Sequence, residues 1–192
     1  MRAIEARYSG VAKSQGPYRE CRLNKSTHAL ISISYEHHEI HDGNSYFVFG
    51  NATLNTNNTL SVAITTPDTT EEQHIIIDVR VTDAATFAWI SGVTSYTGGN
   101  AYTPINRNTR SSNTSNVVCK RGWTGNNPLV LTGGTTKYTE IANSSKGVIW
   151  DRQSGEEIVL PRNSIEVFRA TSLANGNTMN ILINWYEHTP KN

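Results

Sequence analysis

Short segments in which apolar and polar residues alternate recur through most of this chain, separated by residues that favour turns. In residues 28–37 every second side chain is apolar or aromatic, which is the period of a half-buried β-strand. The same pattern predicts strands at residues 45–49, 60–65, 74–81, 86–94, 158–160, 164–170 and 179–185, and a short strand at 128–132. Glycine and asparagine at 42–44 and 175–177 predict turns. Many short strands at this spacing indicate a β-sandwich or a barrel.

The amino-acid composition disfavours long helices. Asn, Ser and Thr make up roughly a third of the chain, and they are stiff at χ1 or compete for backbone hydrogen bonds. Hydrophobic residues are only 36% of the chain, but apolar runs such as residues 75–77 argue against a disordered chain. We therefore predict an all-β protein with one jelly-roll-like β-sandwich domain in residues 28–192 and less than about 10% helix.

Two polar segments lack the strand pattern. Residues 1–27 contain scattered apolar residues without a period, which predicts an extended N-terminal arm. Residues 95–127 are rich in Gly, Asn, Ser and Thr, which predicts a long polar loop. Loops of that length are often functional.

Positive charge is concentrated in the arm, whose basic residues are Arg2, Arg7, Lys13, Arg19, Arg22 and Lys25. Such an arm suits nucleic acid, a membrane surface or an acidic protein patch, and the alternative is a solvated tail. The whole chain has a net charge of +1, so we expect no specific nucleic-acid binding. No stretch has the length and apolarity of a membrane span, so we expect no membrane partner.

The two cysteines, Cys21 and Cys119, are expected to be reduced. Residues 1–10 lack the apolar core of a signal peptide, so we expect synthesis in a cytoplasm, where thiols are kept reduced. A disulfide between the two cysteines is the alternative.

The densest group of ionisable residues is the segment 36–42, which contains Glu36, His37, His38, Glu39, His41 and Asp42. On a helix, His38 and His41 would share a face and could bind a metal with Glu39 or Asp42. In a strand, His37, Glu39 and His41 would share one face instead. Because the preceding strand pattern favours the extended form and the His-Glu-x-x-His zinc motif is absent, we predict no metal and no cofactor.

Enzyme motifs are absent from the sequence. No nucleophile elbow, phosphate-binding loop or dinucleotide fingerprint occurs. A carboxylate pair for glycoside cleavage could come from Glu36, Glu39, Glu71, Glu72, Glu156 or Glu157, but spacing places no two of them together. We therefore predict a protein that is not an enzyme, with a hydrolase on a β scaffold as an alternative.

Aromatic residues within the polar segment are candidates for binding. Tyr96, Tyr102 and Trp123 lie among Ser, Asn and Gly residues, as aromatics do in adaptable binding loops, including sugar-binding ones. The alternative is that they cap one end of the sandwich. Trp89, Trp150 and Trp185 are predicted to lie in the core.

Three segments carry a resemblance to a known family. Residues 29–47 combine a strand with a Tyr/Glu/His-rich stretch and the sequence Ile-His-Asp-Gly, followed by an aromatic strand. Residues 104–108 (Pro-Ile-Asn-Arg-Asn) and 183–188 (Ile-Asn-Trp-Tyr-Glu-His) accompany it. Together they resemble small virion proteins of tailed bacteriophages, of the capsid decoration or cement type.

This resemblance implies a structural role without catalysis. It implies a homotrimer on the outer capsid surface of the virion, with the major capsid protein as its partner. The arm and the long loop would then add contact area by ordering on binding. The alternative is a head fibre, tail fibre or tail protein that binds a receptor or glycan through Tyr96, Tyr102 and Trp123.

Overall fold

The computed structural model describes residues 22–23, 30–31, 35–142, 147–151 and 157–189, with side chains described at 36–142 and 157–189. The chain divides into two compact units, residues 1–35 with 191–192, and Glu36–Pro190. In the first unit, β1 (Arg22–Leu23) pairs with β2 (Leu30–Ile31). No helix in the described part of the chain is long and apolar enough to cross a bilayer.

Helix α1 (Tyr35–Asp42) leads into two antiparallel sheets. The strands are β3 (Ser45–Leu54), β4 (Thr59–Thr65), β5 (Glu72–Val81), β6 (Ala85–Thr97), β7 (Asn100–Tyr102), β8 (Ile105–Asn106), β9 (Val118–Trp123), β10 (Val130–Ala142), β11 (Gly147–Asp151), β12 (Ile158–Val159), β13 (Ile165–Ser172) and β14 (Asn177–His188). One sheet has the order β10-β6-β13-β4-β9-β7. The other has the order β11-β5-β14-β3-β8, and β12 also pairs with β5.

The main hydrophobic core lies between the inner faces of the two sheets. Phe87 and Phe168 from the first sheet and Ile181 and Trp185 from the second are almost completely buried. Trp89 packs against this core while partly exposed, and the side chain of Trp150 lies outside the described residues. The all-β sandwich predicted from the sequence is confirmed. The predicted boundary at residue 27 between the arm and the sandwich domain stays a prediction, because most of residues 1–34 lie outside the described part of the chain.

A second, smaller apolar cluster covers the outer face of the first sheet. It consists of Ala63, Val93, Leu129 and Val167. Leu129 reaches this cluster because the segment before β10 passes close to Gly99 and Gly122, which have no side chain to block it. A Cβ on Gly122 would lie 2.1 Å from the Asn127 carbonyl oxygen. The strand β4 is therefore buried on both faces.

The strand predicted at residues 28–37 is wrong at its C-terminal end, because α1 begins at Tyr35. The helix ends in a Schellman cap. The N–H of Gly43 donates to Ile40 O (3.2 Å) and that of Asn44 to Glu39 O (2.9 Å), with Gly43 at φ +80°. The predicted turn at 42–44 is thus a helix C-cap. The extended arrangement that placed His37, Glu39 and His41 on one face is wrong for the same reason.

The long loop predicted at residues 95–127 is also wrong over much of its length. The end of β6 and all of β7, β8 and β9 lie within it. Sequence periodicity missed β9 because Arg121 sits on its inward face, opposite Val62. The Arg121 guanidinium lies 4.2 Å from the Tyr102 ring centroid, a cation–π contact that accommodates the charge there.

The short strand predicted at residues 128–132 is likewise wrong in extent, because β10 runs from Val130 to Ala142. Two register shifts, at Thr132/Gly133 and Thr136/Tyr138, interrupt its pairing with β6. Bulges of this kind blur the period on which the prediction rests.

Candidate functional site

One end of the sandwich, where β5 begins and β14 ends, gathers buried and half-buried ionisable side chains. Successive residues of a strand point to opposite faces. Trp185 and Glu187 of β14 therefore face inward, and Tyr186 and His188 lie on the outer face. The two faces form two distinct groups of polar side chains, which we call the inner pocket and the outer cluster.

The inner pocket has a volume of about 300 Å³ and is strongly polar. Its lining residues are Asn44, Tyr46, Glu71, Ser112, Asn113, Thr114, Asn116 and Glu187. Glu187 is 6% exposed, and its Oε1 accepts hydrogen bonds from Ser115 Oγ and from Trp185 Nε1 at 3.0 Å. The two carboxylates and three asparagine amides that line the pocket suit a small ligand rich in hydrogen-bond donors.

Burial controls protonation in and beside the inner pocket. Burial raises the pKa of Glu187, in opposition to the hydrogen bonds that its carboxylate accepts. Burial, followed by the charges of Glu187 and Glu71, raises the pKa of Tyr46 to about 12. Burial, followed by the charge of Glu187, raises the pKa of Cys119 to about 12. The Cys119 thiol is therefore protonated at neutral pH and is not an activated nucleophile.

The outer cluster consists of Glu72, His74, Glu157, Tyr186 and His188. The pairing of β5 with β14 sets Tyr186 opposite His74, and His188 opposite Glu72. The rings of His74 and Tyr186 stack at 4.8 Å between centroids, and those of His74 and His188 are 4.6 Å apart. One Glu157 oxygen lies 3.3 Å from His74 Nδ1 and accepts a hydrogen bond from Tyr186 Oη at 2.7 Å.

Helix α1 is joined to the sandwich by asparagines at the end of β8 and in the segment that follows it. The side-chain amides of Asn108, Asn113 and Asn106 donate to the carbonyl oxygens of His41, Asp42 and Gly43, at 3.0, 3.3 and 2.8 Å respectively. These carbonyls lie at the end of the helix, where carbonyl groups lack partners within the helix itself. Arg107 also forms an ion pair with Glu36, at 2.6 Å. These asparagines therefore hold the C-terminal end of helix α1 against the sandwich.

The predicted histidine group lies on α1 and divides into two pairs. His37 Nε2 and His41 Nε2 are 2.9 Å apart on an exposed face, and His38 Nδ1 lies 3.2 Å from an Asp42 oxygen. Glu39 is buried and accepts a hydrogen bond from Asn44 at 3.2 Å. The absence of a metal at this group stays a prediction.

The three predicted binding aromatics do not share one surface. Tyr102 and Trp123 pack against the main core, on β7 and β9. Tyr96 packs against the second, smaller apolar cluster, which contains Val93 and Leu129, and Lys120 Nζ lies 5.5 Å from its ring centroid. All three are half-buried. Binding of a glycan or receptor by them stays a prediction.

The predicted arm and carboxylate residues are placed only in part. Of the arm's basic residues, the backbone of Arg22 is described, in β1, and the others lie outside the described residues. The six glutamates named from the sequence scatter: Glu71 lines the inner pocket, Glu72 and Glu157 belong to the outer cluster, Glu36 pairs with Arg107, Glu39 is buried beside Asn44, and Glu156 lies outside the described residues.

Sequence reasoning did not single out Glu187, His74 or His188 as site residues. The available signal was the apolar residue at every second position from Met179 to Trp185, a series whose next position is Glu187 and which places that residue on the inward face. The partnership of His74 with His188 depends on strand register, which the sequence does not encode locally.

The strand β10 lies at the edge of its sheet, where β6 is its neighbour. Three of its apolar side chains are well exposed: Val130 at 62%, Ile141 at 55% and Tyr138 at 38%. An edge strand with exposed apolar side chains is a common surface for contact with another protein chain.

Comparisons with protein-family models, with curated proteins and with solved structures find no match for this chain.

Proposed function

We propose that this protein is a structural component of a tailed-bacteriophage virion that binds the outer capsid surface and reinforces the shell. It acts as a binding module, with the major capsid protein as its partner and a homotrimer as its assembled form. Each copy bridges neighbouring capsid subunits. Because it binds the assembled shell, it stabilises that state over dissociated subunits.

The observation that carries the proposal is the convergence of the three segments that resemble phage virion proteins. Strand β3, from the first segment, pairs on one side with β8 from the second and on the other with β14 from the third. Arg107 of the second segment also reaches Glu36 of the first. Segments that are far apart in sequence and meet in one place act as one structural unit, which supports a shared family pattern over chance matches.

The exposed edge strand β10 supplies a surface for docking. Its two bulges limit indiscriminate pairing with other strands, as native edge strands commonly do. We therefore ascribe docking to its exposed apolar side chains. Many copies of a modest interface reinforce a shell collectively, even when each contact is weak.

Two measurements on purified particles test the proposal. A decoration protein is present in a copy number near that of the major capsid protein. Particles assembled without this protein should package DNA but release it at a lower temperature, or sooner in the presence of a chelator. Particles that keep normal heat resistance but no longer adsorb to cells would overturn the proposal.

The inner pocket favours one alternative, a fibre or tail protein that binds a glycan. Its amides and carboxylates, with Tyr46, are groups that hydrogen-bond sugar hydroxyls. This alternative predicts few copies per particle. It also predicts that glycan binding is lost when Asn113 is changed to Ala, because that side chain lines the pocket.

A further inference from the structure

The outer cluster contains a histidine nitrogen that lacks a partner. His74 Nε2 is buried and makes no hydrogen bond with any described residue. The nearby Glu72 oxygen is 3.9 Å away, which is beyond hydrogen-bonding distance. A buried polar atom without a partner is costly, so its presence in a folded protein calls for an explanation such as an ion.

The Nδ1 side of the His74 ring is positioned as in histidines that bind a metal. The Glu157 carboxylate lies on the Nδ1 side of His74, and the Tyr186 hydroxyl fixes that carboxylate. A carboxylate at one ring nitrogen keeps the proton there and leaves the lone pair of the other nitrogen for a metal. The other nitrogen, Nε2, lies on the side of Glu72, whose carboxylate oxygen is 3.9 Å from it.

We propose that Glu72, His74 and His188 bind a zinc ion. One ligand atom from each residue lies within 4.8 Å of the other two. In tetrahedral zinc with ligands at about 2.1 Å, the ligand atoms lie about 3.4 Å apart. Side-chain rotations that move these atoms by about 1 Å would therefore bring them to zinc-binding distance. Two imidazole nitrogens and one carboxylate oxygen form a donor set that suits zinc better than it suits calcium or magnesium.

The proposed ion has an open coordination position and joins two strands. Three protein ligands leave a fourth position for water or for a group from a partner. The ion links the first residues of β5 to the last residues of β14. The proposal does not depend on the capsid function, since it concerns the isolated chain.

Calorimetric titration of untagged, chelator-treated protein with zinc tests the proposal. We expect about one ion per chain, and a rise in Tm of about 5–10 °C at about a hundredfold excess over Kd. Glu72→Gln, His74→Gln and His188→Gln should each weaken binding at least about tenfold. Glu157→Gln, which removes the group that orients His74, should weaken it about 10–100-fold.

Matched controls come from helix α1. His38→Gln and the double variant His37→Gln/His41→Gln should bind zinc as the native chain does. Circular dichroism of each metal-free variant establishes that it is folded, and Glu72, whose side chain is 34% exposed, can be changed with least risk to the fold. Absence of binding by the native chain overturns the proposal. So does binding that survives Glu72→Gln and His188→Gln, or binding that is lost in the helix variants alone.

Discussion

At the residue scale, the fully buried carboxylate of Glu166 shows how this core accommodates a charged group. Glu166 lies on the inward face of β13, where Trp89 Nε1 donates to it at 2.7 Å and Ser91 Oγ at 3.0 Å. Both donors come from the neighbouring strand β6. The group therefore fixes the register between β13 and β6 as well as filling space.

Glu166→Ala should lower the free energy of unfolding by about 2–4 kcal/mol, because Trp89 and Ser91 lose their acceptor in a site with little water. Glu166→Gln keeps one carbonyl oxygen and the same volume, so its cost should be clearly smaller. Urea unfolding of the two variants measures the difference. Equal losses would mean that volume, and not the hydrogen bonds, determines the role of this residue.

The raised pKa of Glu187 predicts a pH dependence of stability. The carboxyl binds its proton more tightly in the folded chain than in the unfolded one, where its pKa is about 4.3. Its contribution is therefore complete below about pH 4 and is lost as pH rises through the folded-state pKa. Glu187→Gln cannot ionise, so its stability relative to the native chain should increase from pH 4 to pH 8. Parallel unfolding curves over that range would contradict the prediction.

At the element scale, the sequence predicted strands well where apolar residues recur at every second position. Strands β4, β5, β13 and β14 follow the period-two pattern, and all four were predicted within a few residues. Helix α1 was missed because the alternation before it continued into a run of histidines. Gly43 was the available signal, since a glycine after such a segment often marks a helix C-cap. The inner pocket and outer cluster could not be predicted, because they depend on which strands become neighbours.

The exposed side chains of β10 yield a prediction about docking. Ile141→Lys should leave the fold intact, since the side chain is 55% exposed, but should weaken particle binding at least about tenfold if β10 faces the capsid. Val159→Lys is the matched control, because Val159 is 49% exposed on β12 of the other sheet. Copy number on washed particles measures the effect. Equal losses for the two variants would remove β10 from the interface.

At the scale of the whole molecule, the basic residues of the predicted N-terminal arm lead us to expect particle binding that depends on salt. Deletion of residues 1–25 removes all six basic residues of the arm, so particle binding should fall and its salt dependence should flatten. The control variant Glu5→Gln/Glu20→Gln keeps every basic residue and should bind at least as well as the native chain. Unchanged binding of the deleted chain at moderate salt would exclude an adhesive role for the arm.

The position of the last two long strands has a consequence for biosynthesis. β13 lies between β6 and β4, and β14 lies between β5 and β3, so the strands of the sandwich that are made last lie inside its two sheets. While the ribosome is still translating them, the earlier strands have no central partners and their apolar faces stay open. The two sheets of the sandwich are therefore completed only after residues 165–188 have been made, and a chain cut short by a premature stop before residue 165 has no completed sheet and is prone to aggregate.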